Sequence, residues 1–163
     1  MVKRVGKQIR RDMCKIITYE VSNEFFRKHQ NPEFEINFDS KESDWANAIY
    51  FFVEEKNLRK YNDDEHPYPM VVKNQKPFKC IVCYMDCFAN GTYNENDMNK
   101  LIKEIKSKTD ITTNPKNNFM AWLGEYGYAF QCYHDKDKSM EIAIPFQVLK
   151  NMEFTHEPIQ SVE

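Results

Sequence analysis

No unbroken run of apolar residues in this chain has more than six members, the length of the run from Ala48 to Val53. A helix needs about 20 consecutive apolar residues to cross a bilayer, so the sequence predicts no membrane-spanning helix. Hydrophobic residues still fill 41% of the 163 positions, and 12 Phe, 9 Tyr and 2 Trp are among them. Disordered chains carry few aromatic residues, so we expect a buried core. The prediction is one globular domain over residues 1–154 and a flexible tail over 155–163.

Short apolar patterns separated by turn residues predict an α+β fold. Apolar residues recur every three to four positions from Val2 to Lys28, which indicates a long amphipathic helix. Helices are also expected over 45–53, where a buried strand is the alternative, and after Asn94. Alternation, β-prone composition and turn signals predict strands at 34–38, 70–73, 78–88, 119–123, 126–134 and 140–144, with a short last helix after Pro145. The expected architecture is an antiparallel or mixed five- to six-stranded sheet, packed by the N-terminal helix and two or three further helices.

Basic residues are concentrated near the N-terminus. Residues 1–30 carry eight Lys or Arg against three Asp or Glu, so with a net charge of −2 the rest of the chain carries −7. The predicted first helix would expose six binding candidates: Lys3, Arg4, Lys7, Arg10, Arg11 and Lys15. A second basic set lies on the helix after Asn94: Lys100, Lys103, Lys106 and Lys108. Such density suits an acidic protein or nucleic-acid phosphates, and a plain solvated surface is the alternative interpretation.

Five cysteines and no apolar signal-peptide segment favour a reducing cytoplasm. Three of them, with two downstream residues, contain enough ligand atoms for tetrahedral zinc: Cys80, Cys83, Cys87, Cys132 and His134. On a strand, however, Cys80 faces the opposite side from Cys83 and Cys87. We therefore interpret the cysteines as core residues, and we expect no metal and no cofactor.

Acidic residues form two candidate catalytic patterns, and neither is favoured. Asp44 followed by Glu54-Glu55-Lys56 matches the sequence pattern of metal-dependent nucleases. The carboxylates of Asp44 and Glu54, however, would lie roughly 15 Å apart on one helix or 33 Å apart on one strand. A second set surrounds a predicted hairpin turn: Asp86, His134, Asp135, Asp137 and Glu141. Exposed turns have the same composition without any activity. The four glycines form no phosphate-binding loop, so we assign no catalytic residue.

These patterns favour a small non-enzymatic interaction protein that binds a macromolecular partner, protein or nucleic acid, through a charged surface. The scarcity of leucine beside abundant Asn, Lys and Ile is typical of AT-rich genomes, so a phage, viral or mobile-element regulator or inhibitor is expected. Two alternatives stay open. One is a metal-dependent nucleic-acid-processing enzyme that uses the hairpin set, and the other is a non-catalytic nucleic-acid binder that uses the basic first helix. The oligomeric state is also open.

Overall fold

The computed structural model describes residues 12–27, 48–59, 70–84, 95–116, 118–134 and 139–156. Within these ranges eight strands form one sheet, and four helices accompany it. The strands are β1 (Cys14–Tyr19), β2 (Glu24–Arg27), β3 (Ala48–Phe52), β4 (Met70–Asn74), β5 (Phe78–Cys83), β6 (Tyr128–His134), β7 (Ser139–Pro145) and β8 (Met152–His156). The helices are α1 (Glu55–Arg59), α2 (Glu95–Lys108), α3 (Phe119–Glu125) and α4 (Phe146–Leu149).

The strand order is β1-β5-β6-β7-β3-β2-β4-β8. Strands β5 and β6 are parallel, and every other neighbouring pair is antiparallel. Parallel neighbours need a long crossover, and the chain between β5 and β6 contains α2 and α3. The α+β class and the mixed sheet are confirmed, but the predicted number of five to six strands is wrong, since the described residues form eight.

The predicted long N-terminal helix is wrong wherever the structure describes that segment. Residues 14–19 form β1 and residues 24–27 form β2, while residues 2–11 lie outside the described ranges. The run of Ile16, Ile17, Thr18 and Tyr19 is rich in β-prone side chains. Ile16 packs against one core, and Ile17 and Tyr19 pack against the other. Because apolar side chains are needed on both faces, the period of two is hidden and the spacing imitates that of a helix.

The helix preferred over residues 45–53 is also wrong, because β3 occupies 48–52 and residues 45–47 lie outside the described ranges. Ala48 and Tyr50 contact one core, and Ile49 and Phe51 are buried in the other. A strand covered on both faces reads as a continuous apolar run, which periodicity cannot distinguish from a buried helix. The pairing of β3 with β7 resolves the ambiguity in favour of the strand.

Several other predicted elements are confirmed: the strands near 70–73, 126–134 and 140–144, the helix after Asn94, and the short helix after Pro145. The strand predicted over 78–88 is confirmed only as far as Cys83, and residues 85–88 lie outside the described ranges. The predicted strand at 34–38 lies outside the described residues. Thr155 and His156, at the start of the predicted tail, pair with Val71 and Met70 as part of β8. Residues 157–163 are outside the described ranges. Among the described helices, none is long and apolar enough to span a membrane.

Residues 119–123, predicted as a strand, form α3 instead. Asn118 has an extended backbone, and its Oδ1 accepts the N–H of Ala121 at 2.7 Å, which is the geometry of a helix N-cap. The N–H of Trp122 donates to the carbonyl of Asn118 at 3.1 Å and closes the first turn. The cap therefore starts a helix in a segment whose aromatic composition suggested a strand.

Replacing Asn118 with alanine is expected to lower the free energy of unfolding by about 1 kcal/mol, because the N–H of Ala121 loses its acceptor. Urea denaturation measures the change. Asn118→Asp retains an acceptor oxygen and serves as the control. A loss as large in the Asp variant as in the Ala variant would contradict the capping role.

The sheet curls so strongly that its first and sixth strands approach each other. In a flat sheet, β1 and β2 would lie about 24 Å apart, at about 4.8 Å per strand. Only residues 20–23 connect them, and the five residue steps from Tyr19 to Glu24 reach at most about 18 Å. The rings of Tyr19 and Phe25 are in fact 5.0 Å apart, edge to face. Curvature of the sheet is therefore required by the length of this connection.

The curled sheet has a core on each face. The inner core lies within the curl and includes Phe25, Ile49, Phe51, Met70, Phe78, Ile142 and Ile144. The outer core lies between the other face and two helices, and it includes Leu101 and Ile105 of α2, Phe119 and Trp122 of α3, and Phe130 of β6. Helix α2 is therefore fixed against the sheet by one side, which leaves its opposite side exposed.

Candidate functional site

Helix α2 carries charged residues at both of its ends. Acidic residues occupy its first turn (Glu95, Asp97) and basic residues occupy its last turn (Lys106, Lys108), which complements the helix dipole. Leu101 and Ile105 are fully buried in the outer core. Residues three to four positions apart share a helix face, so the residues on the opposite side must point to solvent.

An open groove of about 640 Å³ runs along this exposed side of α2. Its second wall comes from Asn114 and Pro115, which follow the helix in sequence. Lys106 Nζ donates to Asn114 Oδ1 at 2.8 Å and joins the two walls. The described lining residues include three lysines and three asparagines but no Asp or Glu: Asn96, Asn99, Lys100, Ile102, Lys103, Lys106, Asn114 and Pro115. The groove therefore offers cations and amides to an anionic ligand.

The predicted N-terminal binding residues are placed only in part. Lys15 is exposed on β1, directly opposite Val82 of β5. Because residues 14–19 form a strand, the helical grouping of Lys15 with the other five residues is wrong. Those five lie outside the described ranges: Lys3, Arg4, Lys7, Arg10 and Arg11. Their role in binding stays a prediction.

The second basic set divides into two. Lys100, Lys103 and Lys106 line the groove, whereas Lys108 turns toward the start of β1. Lys108 Nζ donates to the carbonyl of Cys14 at 2.5 Å and forms ion pairs with Glu104 at 3.1 Å and Asp12 at 3.2 Å. Lys108 is thus a structural residue that anchors β1, and it contributes nothing to the groove.

Glu104 completes this anchor between α2 and β1. Its carboxylate accepts the N–H of Met13 at 3.0 Å and the N–H of Cys14 at 2.8 Å. Burial by itself raises the pKa of Glu104, but these two N–H groups and the Lys108 ammonium outweigh it and hold the pKa below its ordinary value. Burial likewise lowers the pKa of Lys108, and its bonds to Glu104 and Asp12 raise it overall. We name these contacts the Glu104 clamp.

The cysteines fall where strand alternation predicted. Cys80 is buried in the inner core and Cys83 in the outer core, and Cys87 lies outside the described residues. Cys14, Cys83 and Cys132 occupy directly paired positions on β1, β5 and β6. Burial, followed by the charge of Glu104, raises the pKa of Cys14 to about 12, so this thiol stays protonated at neutral pH. No group of His, Cys, Asp and Glu within the described ranges is arranged to hold a metal ion.

The candidate catalytic residues are placed incompletely. Glu54 and Lys56 form an exposed ion pair at 3.5 Å beside the start of α1, and Asp44 lies outside the described ranges. Glu141 lies on β7, between Phe52 of β3 and Cys132 of β6. His134 ends β6, where its backbone pairs with Ser139. Asp86, Asp135 and Asp137 are outside the described residues, so the convergence of this set stays untested.

Sequence reasoning missed the asparagines of the groove. The three-to-four spacing of Asn96, Asn99 and Lys103 would have indicated a common helix face. Nothing local in the sequence shows that Asn114 and Pro115 fold back beside that face, because the contact depends on the turn that follows α2. The groove is therefore a tertiary feature built on a predictable helix.

No protein-family model matches this chain, and a comparison with curated protein sequences finds no similar protein.

Proposed function

We propose that this protein is a small non-enzymatic interaction protein that binds an acidic segment of a partner protein in the groove beside α2. The observation that carries the proposal is the lining of that groove. It combines three lysines with three amide side chains, and its described lining residues include no carboxylate that would repel an anion. Charge complementarity of this kind determines partner choice and association rate.

The dimensions of the groove suit an extended peptide. Lys100, Lys103 and Lys106 span about 9 Å along the helix axis, at about 1.5 Å per residue. Side chains on one face of an extended peptide repeat every 6–7 Å or so, so the three lysines can meet two carboxylates of one segment. Ile102 and Pro115 add apolar surface for the intervening side chains.

One feature favours an acidic protein over nucleic acid. Proteins that hold single-stranded nucleic acid usually stack bases on aromatic side chains, and no described residue of the groove lining is aromatic. The role of a regulator or inhibitor, and a contribution from the basic N-terminal residues, are parts of the same proposal.

Changing the three groove lysines to glutamine (Lys100→Gln, Lys103→Gln, Lys106→Gln) is expected to weaken the binding of a peptide rich in Asp and Glu by about ten-fold. Three exposed charge pairs at about 0.5 kcal/mol each account for this factor. Fluorescence anisotropy with a labelled peptide measures the affinity. Added salt should weaken binding to the wild type more than binding to the variant.

The matched control carries Lys56→Gln, Lys73→Gln and Lys150→Gln, which change the net charge equally and lie outside the groove. This control should bind the peptide within about two-fold of the wild type. Equal affinity of the groove variant and the control would contradict the proposal. A labelled single-stranded oligonucleotide should bind more weakly than the peptide. If it binds more tightly, and only when the groove lysines are present, the partner is a nucleic acid and not an acidic protein.

A further inference from the structure

The sheet has two edge strands, β1 and β8, and the start of β1 is capped by α2. The carbonyl of Met13 accepts the N–H of Tyr84 at 2.9 Å, so the backbone of the next residue, Cys14, points away from β5. Two side chains of α2 occupy these outward groups. The N–H of Cys14 donates to Glu104 at 2.8 Å, and its carbonyl accepts a hydrogen bond from Lys108 Nζ at 2.5 Å. Exposed strand edges invite association, and natural proteins commonly cover them.

The edge at β8 has no such cover within the described ranges. It is last in the strand order, and among the described strands it pairs with β4 alone. The N–H of Gln75 donates to the carbonyl of Asn151 at 3.1 Å, which fixes the residues that bond to β4. Because successive residues of an antiparallel ladder bond to opposite sides, the backbone groups of every second residue in β8 point away from β4: Met152, Phe154 and His156. Strand β8 also contains neither Lys nor Pro, the residues that commonly protect an edge.

An exposed aromatic side chain accompanies these outward backbone groups. Phe154 is 41% exposed, whereas Val72, its direct partner on β4, is fully buried in the inner core. Directly paired residues project from the same face of a sheet, and Met152, two positions earlier, is also part of the inner core. Phe154 therefore extends the inner core to the edge of the sheet. An added strand would bond to the outward backbone groups and cover part of this ring.

The sequence of β8 is complementary to itself in one antiparallel register. In a symmetric pair of β8 strands, residues whose backbone groups point outward must lie opposite each other. Centring the pair on Phe154 meets this condition and gives three kinds of pair: Phe154 with Phe154, Met152 with His156, and Glu153 with Thr155. No like charges then face each other. Centring on Glu153 would place two carboxylates directly opposite, which is unfavourable.

We propose that two copies of this chain form a symmetric dimer by antiparallel pairing of their β8 strands. The outward N–H and carbonyl groups of Phe154 bond to those of Phe154 in the second copy, and the two rings form a cross-strand aromatic pair. Strands this short form a small interface, so association should require a high protein concentration. Neither Phe154 nor Glu153 lines the groove beside α2, so this proposal and the proposed function can fail separately.

Sedimentation equilibrium of the full chain, from about 1 µM to about 1 mM, tests the proposal. The mean mass of the wild type should rise from that of one chain toward that of two. Phe154→Lys removes the aromatic pair and sets two like charges opposite each other, so it should weaken association by about ten-fold or more. Val21→Lys is the matched control, because Val21 is 51% exposed and lies between β1 and β2, away from β8. The control should associate like the wild type.

A third variant, Phe154→Glu, tests the register. Alone it should associate as weakly as Phe154→Lys, because two carboxylates then lie opposite each other. An equal mixture of the Lys and Glu variants should associate about ten-fold more tightly than either one, since opposite charges face each other at position 154.

Amide hydrogen exchange tests the pairing without any substitution. As the concentration of the wild type rises, exchange should slow at Phe154 and His156, whose N–H groups point outward, and stay unchanged at Glu153 and Thr155, which bond to β4. The proposal is wrong if the wild type is still monomeric at about 1 mM. It is equally wrong if Phe154→Lys and Val21→Lys associate alike, or if the mixture associates no more tightly than its components.

Discussion

Phe130→Ala is expected to lower the free energy of unfolding by about 3–5 kcal/mol. Phe130 is fully buried on β6, between Ile81 of β5 and Ala143 of β7. Its ring also meets Phe119 of α3 edge to face, with ring centroids 5.1 Å apart. Alanine would remove this aromatic contact and leave a cavity between the sheet and the helix, and the paired neighbouring strands limit how far the site can collapse. Because folded domains are stable by only about 5–15 kcal/mol, a large part of the total would be lost.

Urea denaturation followed by fluorescence measures this loss, and Trp122, 3% exposed in the same core, is a suitable reporter. Phe154→Ala provides the matched control, because Phe154 lies on β8 and is 41% exposed. The control should lose less than about 1 kcal/mol. Similar losses in the two variants would show that Phe130 does not occupy the closely packed position described above.

Glu104→Ala is expected to lower the free energy of unfolding by about 2–4 kcal/mol. The change removes the acceptor of two backbone N–H groups, those of Met13 and Cys14, and leaves Lys108 with only part of its partners. Hydrogen bonds to a charged group are among the stronger ones in proteins. Without the Glu104 clamp, the start of β1 should also separate from α2, and amide hydrogen exchange at Met13 and Cys14 should accelerate.

The effect of Glu104→Ala should depend on pH with a definite sign. The pKa of Glu104 is lower in the folded protein than its ordinary value, so the carboxylate stabilises the fold above the unfolded-state pKa, about 4.3. This contribution is lost as the pH falls through the lower folded-state value. The difference between wild type and variant should therefore be largest near neutral pH and shrink below about pH 4.

Glu153→Ala is the matched control, because Glu153 is an exposed carboxylate on β8. Its effect should stay within about 0.5 kcal/mol. If Glu104→Ala destabilises the protein equally at pH 3 and at pH 7, the ionised carboxylate is not what stabilises the Glu104 clamp. If hydrogen exchange at Met13 and Cys14 is unchanged, Glu104 does not hold the start of β1.

The sequence could predict elements that bury one face and expose the other. The helix over 95–108 is such a case, since Leu101 and Ile105 mark its buried side and the lysines its exposed side. Strand β5 was also predicted, although it is buried on both faces, because Pro77 marks its start, and alternation correctly separated Cys80 from Cys83. The helices predicted in place of β1 and β3 were wrong because these strands have apolar side chains on both faces. The strand predicted in place of α3 was wrong for a different reason, because the start of this helix depends on the cap formed by Asn118.

The candidate sites depended on tertiary structure more than the individual helices and strands did. Three of the groove lysines were identified as a basic helix face, yet the wall formed by Asn114 and Pro115 arises only when the chain turns back after α2. A second cavity, of about 320 Å³, is lined by Asn74 and Met152, which are far apart in sequence but paired across β4 and β8.

By itself, the sequence determined the class of the fold, the aromatic composition of its core, and the one amphipathic helix whose basic side forms the proposed binding groove. These properties follow from the identity and spacing of nearby residues, which set the local free energy of helix and strand. Only the tertiary structure decided that the N-terminal segment pairs as strands, that the sheet curls between β1 and β2, and where its cavities lie. Those outcomes depend on which strands form backbone hydrogen bonds with partners that are distant in sequence. The packing of side chains on both faces of the sheet determines that pairing.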